Sequence, residues 1–370
     1  MKILGLFFTE GISVELWHNK GMFFREKLIY EKLLEKGVLD KIYWFSYGVN
    51  DKKYEKYLHE DIEIITMPKI FNFRVGKLIY SFLMPFIQYR YLKKCNIFKT
   101  NQMWGSWTAI ISKIIYKKSL ILRTGYTISL FSLKENKKIP YFINKLIEKL
   151  AYKFADFSIV SSNEDYNYVI KNYGVRNIIV NPNYINTDLF KPMNIKKEKD
   201  IIFVGRLSKQ KNIFNLIKAF KSLNYDLDIY GDGELKEKIE ELIKDLKLDD
   251  KVKLKGTVPN SELPSILNQY KIYVLPSFYE GMPKTLLEAM ACGLPCLGTD
   301  VEGTREVIIH GENGWLTNTD LESINKGIVK LMEAKNLRKK LGENARKTIE
   351  EKYSLKKVVD MEIEVYENLI

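Results

Sequence analysis

Two pairs of charged residues carry the first chemical information in the sequence. Arg206 and Lys211 stand in segment 204–212, which reads Val-Gly-Arg-Leu-Ser-Lys-Gln-Lys-Asn. Gly205 lets the backbone turn as it leaves a strand, and a helix is expected from about residue 213. Two fixed cations beside a helix start suit a diphosphate, Arg as a planar fork and Lys as a point charge. A solvated loop with ordinary surface cations has the same composition. Glu280 and Glu288 stand in segment 276–293, with Gly281, Met282 and Pro283 between them. Pro283 fits a first helical turn, placing Glu280 at the loop tip and Glu288 about a turn and a half into the helix. Carboxylates accept from vicinal hydroxyls, so a sugar and a ribose are natural targets. The amides of Gly281, Met282, Thr285 and Leu286 are expected to be free for hydroxyls or phosphate oxygens. Taken alone, Glu288 also fits an ordinary salt bridge on a helix face.

Taken together, these segments resemble the retaining, GT-B-fold nucleotide-sugar glycosyltransferases of glycosyltransferase family 4. The resemblance is carried by Gly205-Arg206-Leu207 with Lys211, Tyr230-Gly231-Asp232-Gly233, Gly256-Thr257-Val258, Glu280 through Glu288, segment 303–308 and Gly311-Glu312-Asn313-Gly314. It covers nearly the whole second half. In the first half it weakens to Ala155-Asp156 through Ser161, Asn181-Pro182-Asn183 and segment 188–192. The resemblance implies that Arg206 and Lys211 hold the donor diphosphate and Glu288 the donor ribose. Glu280 would contact the transferred sugar with the Gly281 and Met282 backbone, while Thr257 and Val258 present backbone to the base. Arg206, Lys211 and the helix start near Pro283 would stabilise charge on the leaving diphosphate. No metal or other cofactor is expected, and Cys292 and Cys296 read as packing residues. No protein nucleophile is assigned, and retention would follow same-face attack assisted by a leaving-group phosphate oxygen.

The first half departs from the family pattern. A paired-glycine loop after the first strand is replaced by Thr9-Glu10-Gly11 and His18-Asn19-Lys20-Gly21. Gly21, expected to open a helix, is the better candidate for approach to the donor phosphate. Where many members carry a His after the fourth strand, this chain reads Leu122-Arg123-Thr124-Gly125. Arg123 is the candidate on the acceptor side, toward an anionic acceptor or the leaving phosphate, against the plainer reading of a surface Arg capping a strand. His18, His59 and His310 read as incidental.

These residues need elements to hold them. The chain of 370 residues, 46% hydrophobic and 28% charged, is long enough for two packed domains. Strands are expected at 2–8, 41–47, 62–66, 119–123, 157–161 and 177–181, then at 200–204, 227–230, 251–254, 272–275 and 295–298. Helices are expected at 21–36, 103–116, 141–154, 213–221, 234–247 and 283–291. Apolar strands alternating with amphipathic helices give parallel sheets covered on both faces. The fold class is therefore α/β, two doubly wound Rossmann-like domains facing a cleft, and the resemblance implies that this is GT-B. Residues 1–187 with a returning helix at 355–370 would bind the acceptor, and 191–354 the donor.

Charge separates the halves. Up to Phe190 there are 29 Lys and Arg against 17 Asp and Glu, and from Lys191 on 30 against 29. Between Glu63 and Glu135 lie twelve cations, no acid, and interleaved Phe, Tyr and Trp. An anionic membrane surface is the favoured partner of this stretch, ahead of a merely solvated basic surface; nucleic acid is not expected. Three cysteines, no signal peptide and no membrane-length apolar run point to a soluble cytoplasmic protein, peripheral on the inner face of the membrane. The expected activity is transfer of a sugar from a nucleotide diphosphate sugar to a glycan or lipid-linked acceptor in cell-surface polysaccharide or glycolipid assembly. A nucleotide-sugar epimerase of the same architecture and a non-catalytic sugar-binding module are the alternatives.

Overall fold

The computed structural model describes residues 1–73, 75–134 and 138–369; Arg74, Glu135 and Ile370 lie outside the described residues. The chain forms two compact units, Met1–Pro182 with Val358–Ile370, and Asn183–Lys357. The division precedes residue 187 because Ile185 is tied into the second unit. Its amide donates to the Tyr353 carbonyl at 2.8 Å, and its carbonyl accepts from Leu355 at 2.9 Å.

In the first unit the strands are β1 (Ile3–Phe7), β2 (Lys41–Phe45), β3 (Ile62–Ile65), β4 (Ile97–Thr100), β5 (Ser119–Arg123), β6 (Phe157–Val160) and β7 (Ile178–Val180). They lie in the order β3-β2-β1-β4-β5-β6-β7, every pair parallel. The second unit contains β8 (Lys199–Val204), β9 (Leu227–Tyr230), β10 (Val252–Gly256), β11 (Tyr270–Leu275), β12 (Cys296–Thr299) and β13 (Trp315–Thr317). Their order is β10-β9-β8-β11-β12-β13, again all parallel. Both are doubly wound sheets, and strand order reverses between β1 and β4 and between β8 and β11. Loops leaving the carboxyl ends of those strands are where such sheets bind small molecules.

Several elements differ from expectation. β4 was not expected, because a four-residue strand carrying a lysine has little apolar signal. Lys99 is nevertheless fully buried on it, paired with Glu362 of the C-terminal helix Leu355–Glu367. That pair draws the residues from Val358 onward into the first unit. Helix Gly76–Ile87 was also missed, since it contains Pro85. The proline has no N–H for the Ser81 carbonyl, which accepts instead from Thr108 Oγ1 at 2.7 Å. The expected helix over 21–36 is two, Phe23–Glu26 and Leu28–Glu35. Strand β13 and the helices Asn163–Tyr173, Leu321–Glu333 and Lys335–Lys352 were not expected either.

Candidate active site

β8 and β11 lie side by side, with Ile201 opposite Ile272 and Ile202 opposite Tyr273. Residues separated by about seventy positions in sequence therefore leave one sheet edge together. Three hydrogen bonds lock the two exit loops. The Phe278 amide donates to the Gln210 carbonyl at 2.8 Å. Gln210 Nε2 donates to the Tyr279 carbonyl at 2.9 Å, and Asn212 Nδ2 to the Pro276 carbonyl at 2.9 Å.

Within this frame Lys211 Nζ meets Glu280 Oε1 at 2.5 Å, with side chains 13% and 5% exposed. Ser277 Oγ donates to the same carboxylate oxygen at 2.5 Å, and Gln210 Nε2 reaches the other at 3.4 Å. The sequence reading gave these two residues separate ligand groups, whereas in the structure they neutralise each other. Arg206, exposed beside them, has no side-chain partner among the described residues. The two loops thus present a locked, net-neutral pair and one guanidinium without a side-chain partner among the described residues.

The helix Lys284–Ala291 begins against this pair. Pro283 precedes it with ψ of 100°, and no side chain caps the helix start. The Leu286 amide, expected to be free, donates to the Pro283 carbonyl at 3.1 Å; helical geometry spends it locally. The amides of Gly281, Met282 and Thr285 have no acceptor among the described residues. The Met282 carbonyl is held by Asn183 Nδ2 at 3.2 Å. Buried Tyr273 donates to Thr285 Oγ1 at 2.8 Å and to the Val204 carbonyl at 3.3 Å, so the end of β8 and the helix start move as one body.

Glu288 is 1% exposed and accepts from Asn260 Nδ2 at 2.9 Å. Asn260 belongs to the loop after β10, which also carries exposed Thr257 and half-buried Val258. The second unit therefore gathers Gly205, Arg206, Lys211, Glu280, Glu288 and the loop after β10 at the carboxyl edge of one sheet. Sequence reasoning missed Asn260, Gln210, Asn212 and Ser277. Their polar side chains act on neighbouring loops, and no periodicity signals that.

Two glycines permit the approach of these loops. A Cβ on Gly231, whose φ is +145°, would lie 1.9 Å from the Gly205 carbonyl oxygen. A Cβ on Gly303 would lie 1.7 Å from the Gly281 carbonyl oxygen. Gly303→Ala must push back the loop that carries Glu280. The expected cost is about 1–3 kcal/mol, read as a lowered urea midpoint with unchanged slope. An unchanged midpoint removes this account of the loop.

The remaining two candidates, Gly21 and Arg123, lie in the first unit. Gly21 does not open a helix: at φ of +67° it closes the helix Val14–Asn19, and its amide donates to the His18 carbonyl at 2.9 Å. The start of that helix is filled from within. The buried Asp51 carboxylate accepts from the amides of Val14 at 2.7 Å and Glu15 at 3.1 Å. These two amides are therefore spent within the first unit. Arg123 ends β5 half-buried, its amide held by Thr100 Oγ1 at 3.0 Å. Beyond β1 and β4, Trp104 Nε1 donates to Glu10 Oε2 at 3.2 Å.

All three thiols are buried, and burial pushes Cys95 and Cys292 up to about 12. Among the described residues no group of three His, Cys, Asp or Glu is placed to hold a metal ion.

Against known proteins, residues 185–348 match the family model described as glycosyl transferases group 1. An uncharacterized glycosyltransferase of Methanocaldococcus jannaschii, MJ1069, is 30% identical over 341 residues, covering 87% of this chain and 85% of that one. The UDP-Gal:alpha-D-GlcNAc-diphosphoundecaprenol alpha-1,3-galactosyltransferase of Escherichia coli is 29% identical over 290 residues, covering 72% and 74%. Among solved structures, sucrose-phosphate synthase from Thermosynechococcus elongatus superimposes with a TM-score of 0.84 at 18% identity, covering 100% and 99% of the two chains. That last likeness is one of fold.

Proposed function

The chain belongs to the group 1 glycosyl transferases, and from that premise we propose that it moves a sugar from a uridine diphosphate sugar to a lipid-linked glycan. The observation that carries the donor assignment is the Lys211–Glu280 pair, locked at the β8/β11 reversal with Arg206 unattached beside it. When the bond from the anomeric carbon to the diphosphate oxygen breaks, negative charge gathers on the leaving diphosphate. Lys211 and the amides of Gly281, Met282 and Thr285 are preorganised donors for that charge, held in place before it develops, and the exposed Arg206 turns to it. Glu288 accepts from the ribose hydroxyls, exchanging its bond from Asn260. Glu280 contacts the transferred sugar while Lys211 turns part of its charge to the diphosphate. The incoming acceptor hydroxyl gives its proton to a leaving-phosphate oxygen on the same face, which retains the anomeric configuration without a protein nucleophile. Thr257 and Val258 present backbone to the base, and Arg123 meets an anionic group of the acceptor.

Uridine as the base and a diphospho-polyprenol acceptor are supported by the activity for which the Escherichia coli relative is named. The named relatives are transferases, which favours this reading over an epimerase or a binding module.

Thermal denaturation with UDP, GDP and ADP tests the donor. The matching nucleotide at a hundred times its Kd adds about 2.7 kcal/mol of stability. Glu288→Gln is expected to raise the KM for donor at least about tenfold, as a charge-assisted bond becomes a neutral one. Stabilisation by no nucleotide, or unaltered KM in Glu288→Gln, overturns the donor site.

A further inference from the structure

Helix Lys138–Phe154 is inverted. Ile139, Phe142, Ile143, Leu146 and Leu150 fall on one stripe of its surface and are 45–75% exposed. The side turned to the protein holds Ala151 and Tyr152 together with hydrogen-bonded polar groups. The buried Glu148 carboxylate accepts from the Ser129 amide at 2.9 Å, Ser129 Oγ at 2.6 Å and Tyr173 Oη at 2.6 Å. Asn144 Nδ2 donates to Ser132 Oγ at 2.8 Å. A helix bathed in water has the opposite arrangement.

Helix Gly76–Ile87 repeats it. Phe82, Leu83 and Phe86 point outward at 47%, 41% and 59% exposure. On its inner side Tyr80 Oη accepts from Gln88, and Ser81 Oγ from Trp107 Nε1 at 2.8 Å. Helix Ser106–Tyr116 packs against both and adds exposed Ile114 and Ile115. Apolar surface on this scale is not left to water without a function.

Charge identifies the occupant. Glu148, buried, is the sole acid in these three helices, whereas Lys138, Lys149, Lys153 and Lys117 are exposed on them or at their ends. The twelve-cation stretch is not all surface: Lys99 is internal, and Lys113 pairs with Asp156. Nothing is described for Arg74 or the Lys134 side chain. What remains exposed is a cationic margin around apolar stripes. We propose that this three-helix face docks on an anionic lipid bilayer, with the Ile139–Leu150 stripe entering the headgroup region and the lysines meeting lipid phosphates.

The docking deepens the lipid-linked acceptor assignment and rests on it for its purpose. Phe82 stacks on Trp107 at 5.7 Å between ring centroids, and Trp107 meets Trp104 at 5.4 Å. Trp104 then donates to Glu10 in the loop after β1. This aromatic row runs within the first unit from the apolar face to the β1/β4 reversal. It gives a bilayer-held acceptor a surface along which to extend its head group.

Co-sedimentation with phosphatidylglycerol/phosphatidylcholine vesicles and with pure phosphatidylcholine vesicles tests the face. The full chain is expected to bind the anionic vesicles at least about tenfold more tightly, and less well as salt rises. Phe142→Glu/Leu146→Glu and, separately, Lys149→Glu/Lys153→Glu are each expected to weaken that binding at least about tenfold, with unchanged circular dichroism. Failure of the full chain to sediment, equal binding to neutral vesicles, or variants that bind as well as the full chain each overturn the proposal. So does a dimer that the Phe142→Glu/Leu146→Glu change dissociates and that ignores vesicles. Transfer to a water-soluble acceptor by the Phe142→Glu/Leu146→Glu variant is expected to stay unchanged. Vesicle binding without any sugar transfer leaves the docking face standing and removes the transferase mechanism instead.

Discussion

Lys211→Ala is expected to lower sugar transfer about 10²–10³-fold, the usual effect of removing one preorganised donor from a developing negative charge. The same substitution leaves the Glu280 carboxylate, 5% exposed, without its cation. Stranding one partner of a buried pair costs roughly 3–5 kcal/mol. Sequence reasoning alone expects the activity loss without unfolding; the pairing adds a cost in stability. The two are separable. Lys211→Ala/Glu280→Gln removes the stranded charge while leaving Ser277 and Gln210 able to bond the amide. It should recover most of the stability and none of the activity. Steady-state kinetics and urea denaturation on the three proteins decide it. Transfer at the ordinary rate in Lys211→Ala removes the donor role, and an unchanged urea midpoint removes the structural one.

The second large effect is expected at Lys99, inside the first unit. Its ammonium and the Glu362 carboxylate are both fully buried, and the Tyr30 and Tyr366 rings lie over the ammonium at 5.1 and 5.8 Å. Burial pulls the Lys99 pKa below its ordinary value, and Glu362 opposes that shift. One Glu362 oxygen has no hydrogen-bond partner among the described residues, so the pair is incompletely compensated. Lys99→Ala should destabilise the first unit by roughly 3–5 kcal/mol, because it abandons a buried carboxylate. Lys99→Met/Glu362→Leu should be close to neutral or more stable, since packed apolar groups avoid the desolvation altogether. Thermal and urea unfolding of the single and double variants give the answer. A double variant as unstable as the single one means that the pair is more than an expensive tether for the C-terminal helix.

The departures from expectation share a cause. β4 escaped notice because Lys99 breaks its apolar run, and Lys99 is admissible there only because Glu362 arrives from the other end of the chain. Gly21 looked like the start of a helix because the sequence beyond it is helical; its left-handed φ closes the preceding one instead. Leu286 looked like a free amide until the Pro283 carbonyl turned toward it. Arg206 and Lys211 were recognisable as a cationic pair, but not as one free guanidinium and one neutralised ammonium.

Local order was written in the residues themselves. Glycine-bounded exit loops, apolar runs of strand length and a Pro-led helix are short-range features, and they give alternating units, two sheets and a Glu280–Glu288 segment that spans a loop tip and a helix. Partnership required the folded chain. Whether Lys211 faces Glu280, whether Lys99 is inside, and whether the Ile139–Leu150 stripe turns toward protein or away from it depend on strand order and on contacts between residues remote in sequence. Periodicity states that side chains share a side of a helix. Only packing assigns that side to the core or to the surroundings, because the free energy of burial is decided by what lies opposite.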